Sequence, residues 1–542
     1  MPSPSQPHSS PAGLPPATFE IALAALLAVA LVPFTLTTSF HGDEFTNLYN
    51  AVRMLEGQVI YRDFFELTGP LTHWLLAWVY AITGPSLLTA RLVQAAAIVL
   101  AGWQLFRLAR GLGVGPWTAM LPGLILVAGL YRHWPGYSHH WMALPFVLAA
   151  LQAGMKALAS DGWRWWGIAG VAAGLSCLAM QSDGAVTAIA LAATLTLNLL
   201  LSGPVSIRAA AKQVLALAGG LALPLALAAA YLAWHGALGA AWYSVWSWPL
   251  AHYKVPGGFN DIPFATDFAA AILPVTQLPA WYGRLYHFAM LYALPATTAV
   301  AALVWGLGLL WRRMSAGSGW SPQEARLGLV GLCTIGFFAL LSRGRADVVR
   351  VAVYAFPAVL FATALAQAWA DRTRAPQLVL ARWLPHAALA AFVATGALLQ
   401  AKFMQKDPAA WLRLTSPDGG LAASPAVAYI RAHSEPDDRI VAMPNGGFFY
   451  FYGRPSATRH AWIWPPSLGF VTAREVDEAW DEIAARRPRF VVVSPDGPEP
   501  EKLQAYLRRP LTGYQRVTVP GAPGRPVYLF ERRPRPEETQ AP

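Results

Sequence analysis

The chain has 542 residues, of which 55% are apolar and only 13% charged, and it carries a formal net charge of +11. A soluble chain of that length would lack the polar surface to cover itself, so an ordinary globular protein is excluded and a multi-pass membrane protein is indicated. The positive charge lies on short loops and on an Arg-rich tail, ERRPRPEE, rather than on one basic stripe interleaved with aromatics, which excludes a nucleic-acid partner.

Residues 1–17 are rich in Pro and Ser with no basic segment, and are expected to be disordered. Apolar runs long enough to cross a hydrocarbon core of roughly 30 Å then follow at 18–39, 86–108, 115–132, 137–157, 163–180, 184–202, 212–234, 285–311, 326–342, 349–368 and 382–400, about eleven in all. They must be helices, because lipid offers the backbone no hydrogen-bond partner. The run 71–84 is too short to span and reads as an interfacial or re-entrant helix. The retained run 18–39 lacks a small-residue cleavage site and reads as a first span. Cys177 and Cys333 fall inside spans as small apolar residues, leaving no disulfide framework or zinc site.

Every second loop is basic, with Arg107 and Arg110, Lys156 and Arg164, Arg208 and Lys212, Arg312, Arg313 and Arg326, then Arg372, Arg374 and Arg382. Short basic loops stay in the cytoplasm, so 40–70, 133–136, 181–183, 235–284, 343–348 and everything after 400 are placed on the opposite side. From residue 401 to 542 the long apolar blocks give way to a separate soluble domain of small α/β type. SPAVAYIRAH reads as a helix, DDRIVAM as a strand, REVDEAWDEIAARRP as a helix, RFVVVSP as a buried strand and PVYLFERR as a last strand. No glycine-rich phosphate loop follows any of them, so no nucleotide is assigned. The predicted fold class is therefore mainly α, a polytopic bundle spanning 18–400 with a small C-terminal α/β domain.

The chemistry is expected in the first outer loop, SFHGDEFTNLYNAVRMLEGQVIYRDFFELTGPLTHWL, where Asp43 and Glu44 follow the first span and Asp63 and Glu66 come some twenty residues later. Four carboxylates in one short segment stand out in a chain with 29 acids. Their bland reading is loop solvation or a helix cap near Phe45. This loop, with the acidic pair, Gly57, Tyr61, Arg62, Asp63, the Gly69-Pro70 step and GPSLLTARLVQ with Arg91, resembles the polytopic glycosyltransferases of the GT-C superfamily. The likeness is strongest to bacterial protein mannosyltransferase and aminoarabinose transferase relatives.

The resemblance implies a first outer loop with a catalytic Asp, interfacial helices after it and a soluble outer C-terminal domain, at the outer face of a bacterial inner membrane. Asp43, followed by Glu44, matches the catalytic position. GIAGVAAGLSCLAMQSDGAV resembles a glycine-rich helix that ends in Lys in these families; here Gln181 and Asp183 stand there. SRGRADVVRVAVYAFPA resembles an Arg-x-Asp outer motif. No cofactor is required by the resemblance, and a divalent cation held by Asp43 and Glu44 stays open.

A polyprenyl-phosphate sugar keeps its tail in the bilayer and its head at the outer interface, so its enzyme needs a carboxylate to take the acceptor's proton and cations to hold the departing phosphate. Asp43 is the candidate base. Arg62, Arg132, Lys254, Arg343 and Arg345 are the candidate phosphate or sugar ligands with Asp63, against the bland reading of snorkelling side chains. Two cations and Asp347 within five residues favour Arg343 and Arg345. His133, His139 and His140 in YRHWPGYSHHW raise metal binding, but their spacing fits no standard zinc pattern, and no metal ligand is assigned. The aromatic segment WYSVWSWPLAHYKVPGGFNDIPF reads either as an interfacial belt or as a lid or sugar platform.

The expected function is transfer of a sugar from a polyprenyl-phosphate donor to a lipid, glycan or protein acceptor. A lipid or glycan transporter should instead place charged or broken-helix sites near the midplane, and a membrane scaffold with an outer binding domain would not need the acidic first loop.

Overall fold

The computed structural model describes residues 16–36, 42–160, 162–201, 205–254, 285–316 except 287, 320–343, 348–373, 379–405, 424–494 except 470, and 500–533 except 518 and 520–526, with a few positions between 256 and 266. The N-terminal segment expected to be disordered lies almost wholly outside them.

Helix α1 (Pro16–Leu36) is followed by α2 (Gly42–Leu55), α3 (Leu71–Thr83), α4 (Leu87–Gly111), α5 (His139–Ser160), α6 (Trp163–Ala179), α7 (Gln181–Leu201) and α8 (Ile207–Trp234). After an aromatic segment of short helical turns come α9 (Leu294–Ala316), α10 (Pro322–Arg343), α11 (Val348–Tyr354), α12 (Phe356–Arg372) and α13 (Val379–Gln405). Seven of the described helices are long and apolar enough to cross a membrane. The other predicted spans take different forms. Residues 116–133 are a chain of short helical pieces, one beginning at Pro116 and the next carrying Pro122 in its first turn, since proline cannot donate to the turn before it. Helix α6 has 17 residues. The run 349–368 is divided at Ala355 into α11 and α12, just before Pro357. Helix α3, with 13 residues, is too short to span, as its sequence predicts.

The packing is that of a multi-pass membrane protein. On α1, Leu23, Leu27 and Leu31 are buried at helical spacing against α4, whereas Ile21 and Val29 on the other face are about 70% exposed. Helix α8 is likewise apolar on both sides, with Leu217 and Leu232 buried and Leu215, Leu227 and Trp234 outward. A helix apolar all round has no stable place in water and is at home in lipid.

The C-terminal part holds a four-stranded sheet: β1 (Ile440–Met443), β2 (Phe490–Val493), β3 (Tyr514–Val517) and β4 (Tyr528–Arg532), ordered β1-β2-β4-β3. Strands β1 and β2 pair in parallel, Ile440 facing Phe490, and are buried throughout, which is why both read as unbroken apolar runs. Strand β4 runs antiparallel to β2 and β3. The predicted helices are α14 (Pro425–Ala432) and α16 (Ala473–Arg486); α16 starts on a capping box between Thr472 and Glu475. Two helices and β3 were not read from the sequence: α15 (Gly447–Tyr452), α17 (Pro500–Tyr506) and the short strand itself.

The C-terminal part is docked on α2. Phe45, Leu48 and Tyr49 share one buried cluster with Ile430, Ile440, Phe449 and Phe490. A Cβ at Gly447 would stand 2.5 Å from the Thr46 backbone nitrogen, so only glycine lets α15 approach α2 this closely. Trp462 Nε1 donates to Thr46 Oγ1 at 3.0 Å, and Ser456 N donates to the Tyr49 hydroxyl at 2.7 Å.

Candidate functional site

Four parts of the chain converge on a cavity of about 430 Å³. Asp43, Leu67 and Thr68 come from the segment after α1; His139, Gln181, Ser182, Arg343, Arg350 and Tyr354 come from the helix ends; Asn445, Trp462 and Trp464 come from the C-terminal part. Trp246, Pro249, Leu250 and Tyr253 of the aromatic segment complete the wall.

Asp43 and Glu44 sit in the first turn of α2, where carboxylates are favoured by the helix dipole. Successive side chains on a helix point about 100° apart, and here that rotation separates two roles. Asp43 is exposed to the cavity. Glu44 is fully buried: Arg91 of α4 grips it with Nε at 2.9 Å and Nη2 at 2.7 Å, and Tyr137 N donates to it at 3.0 Å. Glu44, expected beside Asp43 as a catalytic carboxylate, is thus the inner end of a buried ion pair and does not line the cavity.

The candidate cations divide in the same way. Arg343, at the end of α10, lines the cavity. Arg345 lies outside the described residues. Arg62 and Asp63 pair with each other at 2.8 Å, Arg62 also donating to the His235 carbonyl and Asp63 accepting from Val59 N. The hydrogen bond from Arg62 holds the Asp63 carboxyl below its ordinary range, against the smaller opposing effect of burial. They stabilise the turn around Tyr61, whose φ of 71° lies in the left-handed region, and neither lines the cavity. Lys254 also stands off it, donating to the Arg343 carbonyl at 3.2 Å and pairing with Asp261 at 3.7 Å. Arg132 does not line it either; its Nη1 is buried with no hydrogen-bond partner among the described residues.

Arg350 was missed because it falls inside a predicted span; the break before α12 brings it to the cavity, with its guanidinium 5.4 Å from the Tyr253 ring centre. Asn445, Trp462 and Trp464 were missed because they lie some four hundred residues from Asp43. The alternation Trp462-Ile463-Trp464 was a usable signal, since residues two apart in an extended run share a face.

Beneath this wall Glu66 is buried, its carboxylate accepting from Asn50 Nδ2 at 2.7 Å, from the backbone of Leu67 and Thr68, and from the Thr68 hydroxyl. His73 Nε2 is 3.5 Å from it. Burial pushes the Glu66 carboxyl up, but these hydrogen bonds and the neighbouring imidazoles outweigh it and hold the group below its ordinary value. Among the described residues no three His, Cys, Asp or Glu side chains converge as metal ligands.

A family model, the competence-induced protein Ccs4 N-terminal domain, matches residues 18–180. No curated protein matches the sequence. Among solved structures, ArnT from Cupriavidus metallidurans in the apo state is similar with a TM-score of 0.56 at 14% identity, covering 95% of this chain and 98% of that one. The same protein bound to undecaprenyl phosphate is similar with a TM-score of 0.52 at 13% identity, covering 95% and 97%. The likeness extends over the bundle and the C-terminal part together, and the chain is a multi-pass membrane protein with the fold of the GT-C glycosyltransferases.

Proposed function

We propose that the protein is a membrane glycosyltransferase that takes a sugar from a polyprenyl-phosphate donor at the outer face of a bacterial inner membrane, with the 401–542 domain on the periplasmic side. The observation that carries the reading is one cavity holding a carboxylate, two guanidinium groups and aromatic side chains: Asp43, Arg343, Arg350, Trp246, Trp462 and Trp464. The ArnT structure with undecaprenyl phosphate bound supports the lipid-phosphate part, as a property of that protein with the same fold.

In this reaction the acceptor oxygen attacks the anomeric carbon, the bond from that carbon to the phosphate oxygen breaks, and the acceptor's proton passes to Asp43. Arg343 and Arg350 balance the charge on the departing lipid phosphate, a type of charge-assisted contact stronger than a neutral hydrogen bond. The tryptophan faces suit the apolar face of a sugar ring, and the acceptor is a lipid, a glycan or a protein side chain.

The test is sugar transfer from a polyprenyl-phosphate donor by purified protein in nanodiscs. Asp43→Asn keeps the shape of the side chain but cannot take a proton, so turnover should fall about 10²–10⁴-fold while donor binding persists. Wild-type turnover in that variant would remove the catalytic assignment.

A further inference from the structure

The cavity wall contains a group that the reading above leaves unused. His139 lines it at the start of α5, and its Nδ1 is buried with no hydrogen-bond partner among the described residues. Near it, His73 of α3 is fully buried, with Nε2 turned to the Glu66 carboxylate and Nδ1 without a hydrogen bond among the described residues. An imidazole nitrogen buried without a hydrogen-bond partner is costly, because it has given up its bond to water for nothing in return. The buried carboxylate of Glu66 is the third member, in contact with His73 at 3.5 Å. Its hydrogen-bond donors are Asn50, Thr68 and the backbone, none of them a cation, so its negative charge has only imidazoles close at hand to balance it.

Resting on the donor-lipid reading, we infer that His139 is a third ligand for the donor's phosphate, taking up a proton as the phosphate binds, with the buried carboxylate of Glu66 favouring that charge. The segment from 57 to 70 brings no cation to the cavity, where it contributes only Leu67 and Thr68. His139 lines the same cavity as Arg343 and Arg350. The charged and titratable groups around it come from every neighbouring element. His140 is beside it with ring centres 4.4 Å apart, and Asp183 of α7 lies 3.8 Å from His140. Glu66 and His73 act from the first segment and α3, and Arg350 from α11. Asp43 and Tyr354 share the cavity. Burial first, then the neighbouring imidazoles and Arg350, oppose protonation of His139 in the empty site; an arriving phosphate reverses the balance, which makes proton uptake part of binding. Glu66 is a positioning residue in this scheme, because it does not line the cavity.

The sign of the pH effect follows. Undecaprenyl phosphate, the lipid that the proposed reaction releases from its singly charged diester donor, is a monoester that gains its second charge above about pH 6 and should by itself bind two guanidinium groups more tightly as pH rises. A proton-coupled imidazole ligand works the other way, so affinity should fall as pH rises.

The experiment measures binding of undecaprenyl phosphate to the full-length protein in nanodiscs at pH 6.0 and 8.5, with inorganic phosphate in a parallel series. Wild type should lose about tenfold in affinity over that interval, and the inorganic phosphate series should show the same direction with weaker binding. His139→Asn should bind about tenfold more weakly at pH 6.0 and lose the decline. His139→Lys should bind at pH 8.5 as well as at pH 6.0, because its charge no longer depends on the pH; this gain distinguishes a phosphate contact from a packing role. Glu66→Gln should reduce the pH dependence without removing a cavity contact. Should His139→Asn retain the wild-type affinity and slope, or His139→Lys keep the slope, the inference is overturned while the donor reading stands. Should wild type bind undecaprenyl phosphate at neither pH, the donor reading itself is overturned and this inference with it.

Discussion

One part of the cavity wall is supplied by residues 43–68 and another by residues 445–464, and the two are held in place by different physics. The first rests on buried charge. Glu44 is locked to Arg91, Glu66 is held by four hydrogen bonds, and both carboxylates are out of contact with water. The second rests on aromatic packing and neutral hydrogen bonds: Phe45 against Phe448 with ring centres 5.4 Å apart, Tyr49 against Tyr450 at 5.1 Å, and Trp462 donating to Thr46. Buried charge fixes direction strongly and fails abruptly when a partner is lost, whereas an aromatic interface of this kind is adjustable. In the proposed reaction the rigid wall would hold the Asp43 carboxylate that meets the acceptor, and the adjustable wall would face the sugar.

The comparison breaks most sharply at Arg91. Removing it leaves the Glu44 carboxylate buried without a partner, so Arg91→Ala should destabilise the protein by about 3–5 kcal/mol. The double change Glu44→Leu with Arg91→Met should recover most of that loss, since it removes both charges together. Thermal unfolding in detergent reads both, and an Arg91→Ala variant as stable as wild type would show that the first wall does not depend on the pair.

A smaller effect is expected on the second wall. In Gly447→Val the new side chain would start 2.5 Å from the Thr46 backbone nitrogen, and overpacking of this type costs about 1–3 kcal/mol. The expected result is faster proteolytic release of the C-terminal part with the bundle still folded. Loss of both parts together would mean that the two walls are not separable.

The smallest effect is a pH dependence of the docking itself. His460, packed on Phe65 with ring centres 5.1 Å apart, is pushed down to about 3 by burial and then by the charges of Arg459 and Arg53. An unfolded histidine takes its proton near pH 6.5, whereas this one stays neutral until far lower, so its docked form is favoured above pH 6.5 and loses stability as pH falls from 6.5 toward 3. Hydrogen exchange around residues 456–464 should quicken over that range in wild type and change less in His460→Phe. An identical acid response in the variant would exclude this group as the cause.

Much of this architecture was legible from the sequence because membrane spans and buried strands announce themselves as apolar runs. The runs at 18–39 and 86–108 correspond to α1 and α4, and DDRIVAM and RFVVVSP to β1 and β2. Lengths told α3 apart from a span. What the sequence did not reveal were the interruptions and the long-range meetings. Nothing local marks Arg350 as a cavity residue, because its place depends on the break at Ala355. Nothing local separates Asp43 from Glu44 either, until Arg91 is seen on the far side of only one of them. Arg62 and Asp63 read as ligands on spacing, but neighbouring opposite charges can satisfy each other, and here they do.

The account's central claim is that Asp43, Arg343 and Arg350 face one donor site, and a structure of the full chain with an uncleaved polyprenyl-phosphate-sugar analogue tests it most directly. The predicted result is the phosphate within about 3 Å of guanidinium nitrogens of Arg343 and Arg350, with the anomeric carbon turned toward Asp43 and the sugar beside Trp462 and Trp464. A phosphate seated instead at Arg132 or Lys254, with Asp43 remote from the sugar, would contradict it.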